Sequence, residues 1–156
     1  MNRVEREGDR CLFWMSRRMR EAVTAFVDLG RELGRGPTPV SRESADSLPP
    51  GAGRDLEEAL RAQREEQGRQ VAGWLEDGER WRVEGEEEVL RLAVAEVEVA
   101  LQVVNSIRVG AWERLGRPDF EAGNAPALSA EALPSVWVLQ MSDPILFALL
   151  SALDAG

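Results

Sequence analysis

The side chains that could perform chemistry in this chain are carboxylates, hydroxyls, arginines and a single thiol. The sequence has no His, and all 19 of its basic residues are Arg. A Ser-His or Cys-His nucleophile pair, a Schiff-base lysine and a P-loop lysine are therefore excluded. One Cys cannot supply a zinc site. A carboxylate site for Mg²⁺ or Mn²⁺ is the main enzymatic option that remains.

Two pairs of carboxylates have the i, i+3 spacing at which neighbouring acids can share a divalent ion. They are Glu76 with Glu79, which flank an Asp77-Gly78 turn signal, and Glu84 with Glu87, which follow it. A bundle of the nucleotide-pyrophosphohydrolase type would add Glu-x-x-Asp on the next helix, and that half is missing. The pattern favours a solvated acidic surface. Glu84 and Glu87 are weak metal candidates for a hydrolase acting on a small phosphorylated substrate; otherwise we expect no cofactor.

Asn105 and Arg108 are polar residues one turn apart in the most apolar helix that the sequence predicts. Arg108 falls on the apolar stripe itself, where an unpaired charge would be costly. We therefore expect Arg108 to be buried against a carboxylate or several carbonyl groups. The pair would serve either as a buried network between elements or as a recognition site for an anion, and the sequence leaves both open.

Charge and apolar patterning limit the partners of the chain. The net charge is −9, and only Arg17, Arg18 and Arg20 cluster, at a predicted helix start. An acidic chain with so few clustered basic residues is poorly suited to nucleic acid. A single Cys cannot form an internal disulfide, and Cys11, in an apolar run, is expected to be a small buried side chain. Asp143-Pro144 interrupts the apolar stretch 133–153, so the sequence predicts no membrane span and a cytoplasmic protein.

The elements that position these residues begin with a hairpin. Gly8-Asp9 is a two-residue turn signal between Val4–Glu7 and the apolar arm Arg10–Met15. An isolated hairpin is marginal, so this one must pack on other elements. Ser16 can cap a helix that runs to about Leu33, because apolar residues recur there every three or four positions.

The middle of the chain is predicted to be less compact. Residues 35–54 are rich in Pro, Gly and Ser and predict a flexible loop within a single domain that spans 1–156. Asp55–Asp77 predicts a helix with few apolar residues. This helix is expected to be either largely solvated or frayed in its middle, at 61–70.

The longest predicted helix starts at the acidic run 86–88 and reaches about Leu115. Its apolar residues alternate in spacings of four and three, which outweighs a strand-like alternation over 97–103. Further on, 130–142 and 144–153 predict two short helices, or one helix kinked at the proline. The fold class that follows is mainly α, a bundle of about four to five helices with an N-terminal β-hairpin packed on it.

The last two predicted helices carry apolar residues on more than one face. A domain of this size has few other elements to cover them, and an uncovered apolar patch marks association. A Trp at the centre of such a patch suits a binding hot spot. We therefore expect a homodimer or a protein partner, and no nucleic acid or membrane. The interface candidates are Trp137, Leu139, Gln140, Leu146 and Leu149.

Two segments resemble a known family. Asn105-Ser106-Ile107-Arg108, followed by Arg114-Leu115-Gly116, resembles the Asn-x-Leu-Arg and Arg-Leu-Gly segment of domain-of-unknown-function family number 2017, and Trp137-Val138-Leu139-Gln140 is similar to its Trp-x-x-Leu-Gln end. The opening hairpin and helix also resemble its start. The resemblance implies a small bacterial helical protein without assigned activity. Since members are often encoded beside the Clp protease adaptor, it also implies a link to adaptor-dependent proteolysis.

The thin catalytic inventory favours a non-enzymatic interaction or regulatory protein. The Mg²⁺- or Mn²⁺-dependent carboxylate hydrolase is the alternative. A helical module that binds a small ligand is a third hypothesis.

Overall fold

The computed structural model describes residues 1, 3–35, 49–123 and 129–156. Four strands form one antiparallel sheet, and four helices lie on one side of it. The described part of the chain is therefore mixed α/β, and the predicted mainly helical fold is correct only in its helices and its N-terminal hairpin. The strands are β1 (Arg3–Glu7), β2 (Arg10–Ser16), β3 (Trp81–Glu84) and β4 (Glu87–Ala93), and the helices are α1 (Arg17–Leu33), α2 (Ala52–Glu76), α3 (Val94–Arg114) and α4 (Leu133–Asp154).

The first hairpin forms as the sequence predicts. Glu7 pairs with Arg10 across a two-residue turn. Gly8, at the first position of that turn, has a φ of 64°, which glycine adopts without a steric penalty. In the strand order β1-β2-β4-β3, the second arm of the hairpin is an inner strand, and all of residues 11–15 are buried.

A second hairpin replaces the beginning of the longest predicted helix. Glu84 pairs with Glu87 across a turn formed by Gly85 and Glu86. Residues 87–93 then pair with β2 on one side and β3 on the other, so the prediction of helix over 86–93 is wrong. The physical reason is the buried strand β2, whose backbone groups need hydrogen-bond partners on both edges. The helix α3 begins only after β4 ends.

The helix that follows the first hairpin has the predicted cap. The Ser16 hydroxyl accepts a hydrogen bond from the N–H of Met19 at 3.1 Å. At the other end of α1, the N–H of Gly34 donates to the carbonyl of Gly30 at 2.9 Å. Both predicted ends of this helix are confirmed.

The second helix is continuous through 61–70, so the alternative of a frayed middle is wrong. Its buried residues are confined to 68–75, which agrees with a largely solvated helix. The predicted flexible loop 35–54 lies mostly outside the described residues, and Ala52–Arg54 belong to α2.

The C-terminal segment is one helix, so the prediction of two separate short helices is wrong. It continues through Asp143 and Pro144, although Pro144 removes a backbone donor within it. Close to this position the buried hydroxyl of Ser142 donates a hydrogen bond to the carbonyl of Leu139 at 2.7 Å.

Among the described residues, α4 is the one helix long and apolar enough to cross a membrane, with a mean hydropathy of 1.6. Asp143 and Pro144 therefore do not interrupt the segment as predicted. Length and composition are weak evidence for a span, because the core helix of a soluble protein meets the same criterion. This helix packs against α3, α1 and the first hairpin, and 33% of its apolar window is buried. Its contacts are those of a core helix with one uncovered side.

The main core lies between the sheet and the helices. Cys11, Phe13 and Met15 project from β2 towards the helices, together with Leu90 and Leu92 from β4. The other face of the sheet has a smaller cluster, which contains strand residues alone. The four helices therefore all pack on the same face of the sheet.

Charged side chains cover the outer face of the sheet. The Arg3 guanidinium lies 4.0 Å from the centroid of the Trp14 ring, and the indole N–H of Trp14 donates to Glu84 at 3.0 Å. Leu12 and Val89 complete the buried cluster beneath them. Arginine can stack its cationic head on an aromatic ring while its methylene stem covers apolar surface. This explains how the small cluster is buried although no helix covers that face of the sheet.

Candidate functional site

The two weak metal candidates, Glu84 and Glu87, lie opposite each other across the β3–β4 turn. Glu84 is already engaged, because it accepts the Trp14 indole N–H and forms an ion pair with Arg82 at 2.8 Å. One carboxylate oxygen of Glu87 is buried and has no hydrogen-bond partner within the described residues. In the same ranges, no group of three or more His, Cys, Asp or Glu side chains could hold a metal ion.

Arg108 and Asn105 lie on the surface of α3 and not in the core. The Arg108 side chain is 49% exposed and pairs at 3.7 Å with Asp143, which is 72% exposed. The prediction that Arg108 is buried is wrong, because the buried stripe of α3 passes through Val104 and Ala111 and leaves Arg108 at its edge. Asn105 is exposed as well. The buried network is therefore excluded, and both residues belong to an accessible surface.

The five predicted interface residues divide between the core and the surface. Leu149 is buried in the main core, so it is not available as an interface residue. Trp137, Leu139 and Leu146 are half-buried, and Gln140 is exposed. The apolar side chains of α4 that are most exposed are therefore not the predicted ones.

Exposed apolar side chains mark the side of α3 and α4 opposite to their buried residues. Along α4, positions 136, 140, 143, 147, 150 and 154 recur at spacings of four and three and share this side. The ion pair between Arg108 and Asp143 joins the two helices there. We call this surface the outer α3–α4 face. The large exposed apolar residues of the two helices are Val109 and Trp112 on α3, where the Trp112 indole N–H donates to the carbonyl of Pro118 at 3.0 Å, and Leu133, Phe147 and Leu150 on α4.

A cleft of about 290 Å³ between α1, α2 and α3 is the second candidate site. No sequence pattern indicates it, because its polar residues come from three separate helices. Its charged lining is mainly positive, in a chain whose net charge is −9. The charged residues are Arg31 on α1, Arg61, Arg64 and Glu65 on α2, and Glu113 and Arg114 on α3.

The single thiol does not belong to either surface. Cys11 is fully buried, and its Sγ lies 3.8 Å from the carbonyl oxygen of Ala152. Burial raises the pKa of the Cys11 thiol, against an opposing influence from Arg6. A buried thiol with a raised pKa is a poor nucleophile. The prediction of a small buried side chain is confirmed.

Comparisons with known protein families, with curated proteins and with solved structures find no match. The resemblance to domain-of-unknown-function family number 2017 therefore stays a prediction. The two candidate sites are the outer α3–α4 face and the cleft between α1, α2 and α3, called the arginine-lined cleft.

Proposed function

We propose that this chain is a non-enzymatic interaction or regulatory protein whose contact surface is the outer α3–α4 face. The observation that carries the proposal is the exposure of Phe147, a large apolar side chain on α4 that is 75% exposed. Leu150 lies one turn further along, and Trp112 on α3 adds a second aromatic ring. Exposed apolar patches of this kind mark association sites, and buried aromatic rings contribute much of the binding free energy at interfaces.

The occupant that we propose for this face is a second copy of the chain. Arg108 and Asp143 lie side by side in the face, and both are accessible. In a two-fold symmetric dimer the same patch meets itself, so Arg108 of one protomer can pair with the partner's Asp143. The face thus carries both charges that its own copy would need, and Phe147 lies one turn from Asp143 on the same side of α4.

The family resemblance adds a cellular context to this proposal. We propose that the interaction belongs to Clp adaptor-dependent proteolysis, in which a regulatory protein acts by binding. The absence of His and Lys supports binding over catalysis. Nothing specific favours the hydrolase alternative, since Glu84 is engaged by Trp14 and Arg82.

Light scattering during size-exclusion chromatography, over a wide range of protein concentration, tests the dimer. The wild type should shift from monomer to dimer as its concentration rises. Replacing the exposed side chains in a Phe147→Ser plus Leu150→Ser variant should weaken dimerisation by about tenfold or more, because both apolar anchors are lost.

The matched control is Val83→Ser, which removes an apolar side chain that is 72% exposed on the edge strand β3. This variant should dimerise like the wild type. A wild type that stays monomeric, or a Phe147→Ser plus Leu150→Ser variant that still dimerises fully, would contradict the proposal. Binding of purified Clp adaptor by a monomeric wild type, lost in the Phe147→Ser plus Leu150→Ser variant, would assign the face to that partner and overturn the homodimer.

A further inference from the structure

We infer that the cleft between α1, α2 and α3 binds a small phosphorylated molecule. Its volume of about 290 Å³ is close to the lower end of the range for small-molecule sites, about 300–1,000 Å³. The cleft lies apart from the outer α3–α4 face, and the inference does not depend on the proposed dimer.

Arginine side chains from three helices line the cleft. Arg61 and Arg64 are one turn apart on α2 and share the side of that helix that lines the cleft, while Arg31 enters from α1. The Nε atoms of Arg31 and Arg61 are buried and find no hydrogen-bond acceptor among the described residues. A buried donor without an acceptor costs free energy, so these two guanidinium groups keep unused hydrogen-bonding capacity beside the cleft.

Part of the positive charge is already used by the fold. Arg31 faces Glu65 at 3.7 Å, a weak and partly exposed ion pair. Arg114 donates a hydrogen bond to the carbonyl of Leu33, so it stabilises the C-terminal end of α1. These two arginines therefore have structural roles as well as a place in the lining.

The remaining charge is not neutralised by the cleft itself. Glu113 pairs at 3.3 Å with Arg117, which is not among the lining residues. Within the described ranges, Arg61 and Arg64 form no ion pair. Two guanidinium groups on α2 are thus available to an anion.

The rest of the lining suits the apolar part of a ligand. Val103 and Ile107 of α3 contribute aliphatic side chains. A Cβ at Gly110 would meet nothing within 4 Å, so the cleft is open beside this glycine. At Gly68 a Cβ would lie 3.2 Å from Cγ of Arg31, so the glycine leaves room for the arginine stem to reach the cleft.

A phosphate group matches this site better than a carboxylate does. A phosphate monoester carries a charge of about −1.5 to −2 and three acceptor oxygens. The two unneutralised guanidinium groups of Arg61 and Arg64 call for more charge and more acceptors than one carboxylate supplies. Arginine is also the side chain that binds phosphate oxygens through paired N–H groups.

Isothermal titration calorimetry of the full chain at low ionic strength, with phenyl phosphate as the probe, tests the inference. Phenyl phosphate combines the phosphate group with an apolar ring. It should bind at one site per chain, about tenfold more tightly than inorganic phosphate or benzoate. Added salt should weaken the binding, because the site is open to solvent.

Two variants probe the site in different ways. Arg61→Gln with Arg64→Gln removes the available charges and should weaken phenyl phosphate binding by about tenfold or more. Gly110→Leu fills the cleft without changing its charge and should also prevent binding, while favouring helix formation. The matched control is Arg69→Gln, on the same helix, where Arg69 pairs with Glu66 outside the cleft. Circular dichroism verifies that each variant is folded.

Several results would overturn the inference. One is a wild type that binds neither phenyl phosphate nor inorganic phosphate saturably. Another is an equal loss in the Arg69→Gln control, which would point to general charge and not to the cleft. Benzoate binding as tight as that of phenyl phosphate would reject the phosphate class. None of these results affects the light-scattering test of the dimer, so the two proposals fail independently.

Discussion

Arg80 donates two hydrogen bonds to the carboxylate of Glu96, at 2.7 Å and 2.9 Å. Arg80 ends the short 3-10 turn Gly78–Arg80 that follows α2, and Glu96 lies in the first turn of α3. Glu96 also accepts the N–H of Ala93 at 2.8 Å, which caps that helix. The carboxylate of Glu96 therefore caps α3 where that helix leaves the sheet. It also connects the turn that follows α2 to the first turn of α3.

We expect Glu96→Ala to lower the free energy of unfolding by about 2–3 kcal/mol, because it removes the carboxylate that accepts two hydrogen bonds from Arg80, leaves that arginine with Asp77 alone at 3.3 Å, and removes the helix cap. Urea denaturation of the purified variant measures this change. Glu98→Ala, at an exposed position on the same helix, is the matched control and should change stability by less than about 0.5 kcal/mol. Equal losses in the two variants would contradict a special role for Glu96.

Acid should remove the contribution of Glu96. The hydrogen bonds from Arg80 are the main cause that lowers the pKa of Glu96, with further help from Ala93 N–H and the Arg80 charge and against an opposing effect of burial. Because the folded-state pKa is the lower one, the stabilisation is complete above the unfolded-state pKa of about 4.3 and disappears as the pH falls through the folded-state value.

The measurement is the difference in unfolding free energy between wild type and Glu96→Ala as a function of pH. We expect this difference to be constant near neutral pH and to shrink below about pH 4. A difference that stays unchanged in acid, while both proteins are still folded, would show that the charge of Glu96 is not what stabilises the fold.

Gly30 is expected to tolerate no side chain, because α1 and α3 touch at this position. A Cβ there would lie 2.5 Å from Cγ2 of Ile107. Gly30→Ala should therefore destabilise the protein by about 1–3 kcal/mol, since the two helices must separate or Ile107 must move. Gly73→Ala on α2, where a Cβ meets nothing within 4 Å, is the control and should stabilise by about 0.5–1 kcal/mol. Thermal and urea denaturation distinguish the two outcomes.

The two glycine turns explain how much of the sheet can be predicted from the sequence. Gly8-Asp9 and Gly85-Glu86 have the same pattern, and Gly8 and Gly85 both have a φ of 64°. The pattern predicts only the first hairpin, because the acidic residues after Gly85 are also typical of a helix N-terminus. The apolar residues of 87–93 fit a helix as well as a strand. Residues 87–93 form a strand because the free edge of β2 needs hydrogen-bond partners. That need arises from the tertiary structure and cannot be seen in the local sequence.

Neither the arginine-lined cleft nor the exposure of Arg108 can be predicted from the sequence, for a related reason. The polar run 61–70 looks like a solvated helix surface, and only the approach of α1 and α3 makes part of it the wall of a cleft. In the same way, the helical period places Arg108 on the apolar stripe of α3, but the extent to which α4 covers it depends on packing. Periodicity gives the direction of a side chain and not the distance to its neighbours.

Because the Arg108 side chain is exposed, we expect its replacement to have only a small effect on the stability of the fold. Arg108→Ala should lower the unfolding free energy by less than about 0.5 kcal/mol, because its ion pair with Asp143 is long and solvated. The measurement requires a protein concentration at which light scattering finds the monomer. Arg80→Ala, which removes both hydrogen bonds to Glu96, should lower the unfolding free energy by clearly more than Arg108→Ala does. A loss of about 2 kcal/mol or more at Arg108 would mean that the side chain is buried in solution.

The last prediction concerns divalent metal ions and the Glu84–Glu87 hairpin. Millimolar Mg²⁺ or Mn²⁺ should not raise the melting temperature, because Glu84 already accepts the Trp14 N–H and pairs with Arg82. A ligand that binds only the folded state raises its stability in proportion to the logarithm of its concentration, so differential scanning fluorimetry across a titration detects a site directly. The control is the same titration with EDTA present. A rise of several degrees that is lost in Glu84→Gln plus Glu87→Gln would reverse the conclusion, since it would require a metal site at this turn and would favour the hydrolase over the interaction protein.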